Sequence, residues 1–154
     1  MNDICALVIG RPLLHQVLRE AEKSYPNECC GLLVGRRNAR TDGVDCIVTR
    51  VEPSPNVAED GTRDRFEVDP GLRFRLMREL GDGPVQIVGH YHSHPDHPAE
   101  PSPRDLERAF EPELVWLIVP VAGGRVGTAT AHVLDTATIV AERPAVREIP
   151  VATA

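Results

Sequence analysis

Residues 85–105 read Val-Gln-Ile-Val-Gly-His-Tyr-His-Ser-His-Pro-Asp-His-Pro-Ala-Glu-Pro-Ser-Pro-Arg-Asp. The stretch begins as an apolar strand, passes four of the chain's six histidines within eight positions, and ends in a Ser-Pro-x-Asp helix start. Two imidazoles at alternate strand positions and a carboxylate a short loop later can hold one divalent metal. Such a set leaves a coordination position open, and an open position implies chemistry rather than structure.

Side chains alternate along a strand, so His90, His92 and His94 share one face, with successive members about 6.6 Å apart. Two imidazoles converge on one ion over that span with Zn–N bonds of about 2.0–2.1 Å. Three in a row would need about 13 Å of reach. Two ligands are therefore expected, either His90 with His92 or His92 with His94. For the third, Asp96, His97, Glu100 and Asp105 compete. Context supports Asp105: Ser102 reads as an N-cap and Pro103 as the first helical residue, which places Asp105 in a rigid first turn. The plainer alternatives are that Ser102 only caps the helix and that Asp105 only complements its dipole.

Working outward, residues 4–9 read as a strand, Pro12 to Ser24 as a helix, and Cys30 to Val34 as a short buried strand. Arg36 to Gly43 reads as a polar turn, with Asp45 to Val51 returning as a hairpin. Residues 53–64 hold two prolines and Gly61 and read as a long loop, a candidate cover for a site or an ordinary surface loop. Phe66 to Val68 suggests a short strand, and Asp69-Pro70 opens a helix that stops at Gly81. Beyond the histidines come a helix over 102–110, a buried strand over 114–120, a turn at Gly123-Gly124 and a return strand over 126–134. An edge strand is expected after Thr138, and the last residues are expected to fray. This order predicts an α/β (α+β) domain with a mixed sheet, residues 1–150 forming one domain and 151–154 a tail.

The 154 residues suffice for one proper core. A net charge of −6 argues against non-specific nucleic-acid binding, no run is apolar enough to span a membrane, and no signal peptide is visible. A cytoplasmic protein is expected. Cys5, Cys29, Cys30 and Cys46 form no CxxC pair and read as reduced, mostly buried thiols.

The pattern His92-Ser93-His94-Pro95, six residues, then Ser102-Pro103-Arg104-Asp105 resembles the JAMM motif of the Mov34/MPN/PAD-1 metallopeptidases, HxHP followed by SxxD. The family also carries a glutamate before an apolar strand, and Glu28 in Pro26-Asn27-Glu28-Cys29-Cys30-Gly31-Leu32-Leu33-Val34-Gly35 fits that place. The resemblance implies a single MPN/JAMM-like domain, a curved mixed sheet flanked by helices in a cytidine-deaminase-like arrangement. It implies one Zn2+ ion on His92, His94 and Asp105, Glu28 as general base and Ser102 as oxyanion stabiliser. His90 and His97 become neighbours of the site.

The compact length resembles the small bacterial members of the family, which act on ubiquitin-like sulfur-carrier proteins ending in Gly-Gly. The resemblance thus implies hydrolysis of a peptide or isopeptide bond at a carrier's C-terminus, with a homodimer compatible. Alternatives are a metallopeptidase acting on another small peptide or amide, and a non-catalytic module of the same fold. A zinc deaminase shares the zinc–water–glutamate chemistry but uses HxE and PCxxC patterns that this chain lacks.

Overall fold

The computed structural model describes residues 3–59, 61–107, 111–135 and 145–153. In chain order the elements are β1 (Ile4–Ile9), α1 (Arg11–Ser24), β2 (Cys30–Arg40), β3 (Gly43–Ser54), α2 (Pro70–Leu80), β4 (Gln86–Pro95), α3 (Pro103–Glu107), β5 (Val115–Ala122), β6 (Arg125–Val126), β7 (Thr130–Leu134), β8 (Val146–Ile149) and β9 (Val151–Ala152). They form one mixed sheet in the order β8-β7-β5-β4-β2-β3-β1-β9, with β6 paired to β5. The β1/β3, β4/β5 and β1/β9 pairs are parallel.

β8 and β9 stand at opposite ends of that order, yet only Pro150 separates them. One extended segment therefore pairs with β7 through its first half and with β1 through its second, wrapping the sheet toward closure. The Leu7 N–H donates to the Pro150 carbonyl at 3.0 Å, so even the junction is bonded. The end expected to fray is instead held in the sheet at Val151 and Ala152.

Two apolar cores cover the two faces. Leu13, Leu14 and Leu18 of α1 pack with Leu7, Ile9, Leu33, Val115, Leu117 and Val119. Leu72, Leu76 and Leu80 of α2 pack with Leu32, Val34 and Ile87. A bulge in β4 matters for the site. Leu33 pairs with Gly89 and Val34 with Ile87, so Val88 is skipped, and Ile87 and His90 both fall on the α2 face. His92 and His94 continue along it.

Some boundaries differ from expectation. The polar stretch Arg36–Arg40 continues β2 rather than turning, because backbone pairing to residues 43–47 carries the hairpin beyond the core, where its side chains are exposed. β3 likewise runs to Ser54. Phe66 to Val68 contributes only a bridge from Val68 to Asn56. The return after Gly124 breaks into β6 and β7, with Gly127 N–H bonded to the Pro120 carbonyl between them. The α3 helix is described to Glu107; residues 108–110, like Thr138, lie outside the described residues.

Candidate metal centre

β4 carries His92 and His94 between β2 and β5, pairing His92 with Cys30 on one side and with Ile118 on the other. Both rings are buried, at 0% and 4% exposure. α3 brings Asp105 to them. His92 Nε2 lies 3.1 Å from His94 Nε2, and Asp105 Oδ2 lies 3.3 Å from the first and 3.1 Å from the second. A tetrahedral ion with bonds of about 2.0–2.1 Å separates its ligands by about 3.3–3.4 Å, so this triangle is close to that geometry.

Proton positions sharpen the fit. His94 Nδ1 is 2.7 Å from the Pro98 carbonyl, which can only accept, so Nδ1 donates there. The neutral ring then presents the bare lone pair of Nε2 to His92 and to a carboxylate oxygen. Electron-rich atoms aimed at one point call for a cation between them. The titration tendencies show the same demand for positive charge at that point, which a proton on His94 Nε2 would also meet. Burial opposes charge on His94, but bonds to Asp105 and Pro98 outweigh it and raise its pKa. Burial likewise opposes ionisation of Asp105, yet bonds from His92 and His94 hold its carboxyl far below the usual range. His92 is shifted down, by burial first.

Ser102 and Asp105 cap α3 reciprocally. The Ser102 N–H donates to Asp105 Oδ2 at 2.8 Å, and the Asp105 N–H donates to Ser102 Oγ at 3.1 Å. The cap aims the carboxylate at the imidazoles, so capping and ligand geometry are one arrangement.

Glu28 reaches the same point from just ahead of β2. One of its carboxylate oxygens and the nitrogens of His92 and His94 lie within 4.8 Å of one another, a group able to hold a divalent metal. Glu28 is 5% exposed, and Oε1 is buried without a hydrogen-bond partner among the described residues. Burial pushes its carboxyl up to about 8. Glu28, Asp64, His94, His97 and Ser102 line an open cleft of 450 Å³. On the far side of the histidines, His90, His92, Phe66 and Trp116 border a second cavity of 290 Å³. All five predicted site residues therefore meet, His97 stands on the cleft wall, and His90 lies behind the cluster.

Several supporting residues carry no motif. Ser93 faces away from the histidines and ties β4 to Cys29: its Oγ accepts the Cys29 N–H at 2.8 Å and its own N–H bonds the Cys29 carbonyl. Asn56 donates to the Glu28 and Arg65 carbonyls and accepts from the Ala58 and Glu67 N–H groups. The Glu28 N–H bonds the Thr62 carbonyl at 2.6 Å, so the segment read as a long loop is a wall beside Glu28. The Phe66 ring stacks on His92, 4.2 Å between centroids and 15° from parallel. Asn56 after Ser54-Pro55 was detectable only as turn chemistry, which it performs toward Ala58. All four cysteines are unpaired, and burial pushes the Cys29 and Cys30 thiols up to about 12, so no thiolate joins the donor set.

Residues 10–133 match the family described as prokaryotic homologs of the JAB domain. A desampylase of Haloferax volcanii is 39% identical over 107 residues, covering 70% of this chain and 69% of the relative. A CysO-cysteine peptidase of Mycobacterium tuberculosis is 28% identical over 118 residues, covering 77% and 75%. Among solved structures, a protein of Desulfitobacterium hafniense superposes with a TM-score of 0.75 at 27% identity, covering 94% of this chain and 90% of the other.

Proposed function

Because this chain belongs to the family of prokaryotic JAB-domain homologues, we propose that it is a zinc-dependent metallopeptidase cutting a peptide or isopeptide bond at the C-terminus of a ubiquitin-like sulfur-carrier protein. The observation that carries the reading is the triangle of His92, His94 and Asp105 donor atoms with the Glu28 carboxylate beside it. Relatives named as a desampylase and a CysO-cysteine peptidase support the carrier as substrate. The donor set of two imidazoles and one carboxylate suits zinc.

His92, His94 and Asp105 would hold the ion. A bound divalent ion supplies a Lewis acid and makes water acidic enough to lose its proton near neutral pH. Glu28 takes that proton as the water oxygen attacks the scissile carbonyl carbon, and returns it to the leaving amine. Its orphaned Oε1 and raised pKa suit a group that must gain and release a proton near neutrality. Ser102 uses its oxygen as acceptor in the helix cap, which leaves its hydroxyl hydrogen to donate to the developing oxyanion. The 53–64 segment, fixed to Glu28 through Thr62, would cover the carrier's extended tail in the cleft. The reaction is assigned to the cytoplasm.

The test is mass spectrometry of zinc-loaded protein incubated with two substrates: a carrier bearing an amino acid after Gly-Gly, and the same carrier in isopeptide linkage to a protein lysine. Release of the carrier ending at Gly-Gly is expected. Cleavage of an unrelated peptide with both carrier substrates intact would overturn the carrier assignment.

A further inference from the structure

The segment from Asp96 to Pro101 joins β4 to α3, and the proposed ligands His94 and Asp105 flank it. Pro98 and Pro101 lack N–H groups, so the segment has little capacity to bond itself and is fixed from outside. The Pro98 carbonyl takes the His94 Nδ1–H. The next carbonyl, of Ala99, receives the Thr130 hydroxyl at 2.7 Å and lies 3.2 Å from His132 Nε2. That nitrogen is also 2.9 Å from Thr130 Oγ1.

Donor accounting settles the protons. A carbonyl only accepts, so the Thr130 hydroxyl hydrogen points at Ala99. The Thr130 oxygen is then an acceptor toward His132, and Nε2 must carry a hydrogen shared between the two oxygens. The other tautomer would set lone pair against lone pair at the Ala99 contact. His132 is 5% exposed and sits on β7, paired to Trp116 of β5, the strand beside β4. Its support is therefore the sheet itself.

We infer that His132 is a positioning residue for the metal centre: with Thr130 it pins the Ala99 carbonyl, and through it the adjoining Pro98 carbonyl that sets the tautomer and ring angle of His94. The inference rests on the reading of His92, His94 and Asp105 as the ligands. It makes a buried histidine outside the motif part of the machinery without touching ion or substrate.

The experiment compares the parent with His132→Leu, His132→Gln and Thr130→Val. Zinc affinity is measured by competition with a chromogenic chelator, and ligand geometry by the visible absorption of the cobalt-substituted protein. His132→Leu should lower affinity by about 10–100-fold, the usual effect of losing a group that orients a ligand, and alter the cobalt bands. His132→Gln, whose side-chain N–H can reach Ala99, should recover most of both. Thr130→Val should show a smaller loss. Parent-like affinity and spectrum in His132→Leu would overturn the inference, as would equal losses in the Leu and Gln variants, which would point to packing alone. If His132→Leu does not fold, an unchanged affinity and spectrum in Thr130→Val overturns it. A parent that binds no divalent ion refutes the ligand assignment, and the inference with it.

Discussion

Glu28 and Ser102 each have two jobs that substitution can separate. Glu28 stands two residues before β2 and carries a buried oxygen with no hydrogen-bond partner among the described residues, so its amide analogue fits the same space without accepting a proton. Glu28→Gln should keep one zinc per chain by elemental analysis while kcat falls by about 10²–10⁴-fold, the range for a lost general base. Unchanged kcat would remove Glu28 from that role. Ser102 both caps α3 and offers a hydroxyl. Ser102→Ala should lose about 1 kcal/mol of stability with the cap and about 10²–10³-fold in kcat with the oxyanion donor. Asn caps nearly as well as Ser, so Ser102→Asn should recover the melting temperature without the turnover. Recovery of both would make the hydroxyl dispensable. His92, His94, Ser102 and Asp105 were legible in sequence because they sit on one strand end and one helix start, fourteen positions from first to last. The choice between His90 and His94 as the partner of His92 came only from the resemblance, since strand spacing treats the two pairs alike.

At the scale of elements, the site depends on two attachments that local patterns hide. α1 docks on β4 through the Tyr91 hydroxyl, which donates to Glu20, and Gly31 makes room for that ring: a Cβ there would lie 2.3 Å from the Tyr91 oxygen. Burial raises the Glu20 pKa against the lowering effect of the Tyr91 bond. The protonated carboxyl is therefore favoured by folding, and its contribution is complete below the ordinary glutamate range and lost as pH rises through the raised folded value. Glu20→Gln stays neutral, so its stability relative to the parent should rise between pH 4 and pH 8 in urea titrations. A constant difference would exclude Glu20 as a source of pH dependence. The wall beside Glu28 depends on Asn56, which serves four backbone groups. At about 1 kcal/mol net per bond, shared among partly exposed groups, Asn56→Ala should cost about 2 kcal/mol in urea unfolding. It should lower kcat while zinc content stays at the parent level. Loss of zinc would show that Asn56 supports the ligands rather than Glu28. Periodicity finds helices and strands, but a polar residue that bonds backbone in an irregular segment has no period, which is why Asn56 escaped it.

For the whole molecule, closure of the sheet is a property of non-adjacent strands. The central strands β1, β4 and β5 could be read from their apolar runs, yet Val146–Ala152 is too short and too mixed to announce that one half pairs β7 and the other β1. That pairing is a relation between residues 4–9 and 146–152, with most of the chain between them. Its consequence is specific. Without this segment both β7 and β1 would present unpaired N–H and C=O groups, and exposed edges template association with other chains. Ile149, 2% exposed within the larger core, and the bond from Leu7 to Pro150 would go as well. A chain ending at residue 145 should therefore unfold at lower urea concentration and elute as larger species that grow with concentration. The metal triangle lies on β4 and α3, with β5 between it and the β7 edge and β2 and β3 between it and the β1 edge, so zinc bound by the fraction that remains folded should still be one per chain. A monodisperse truncated protein with parent stability would show that the terminal segment is an ornament of the sheet rather than its closure.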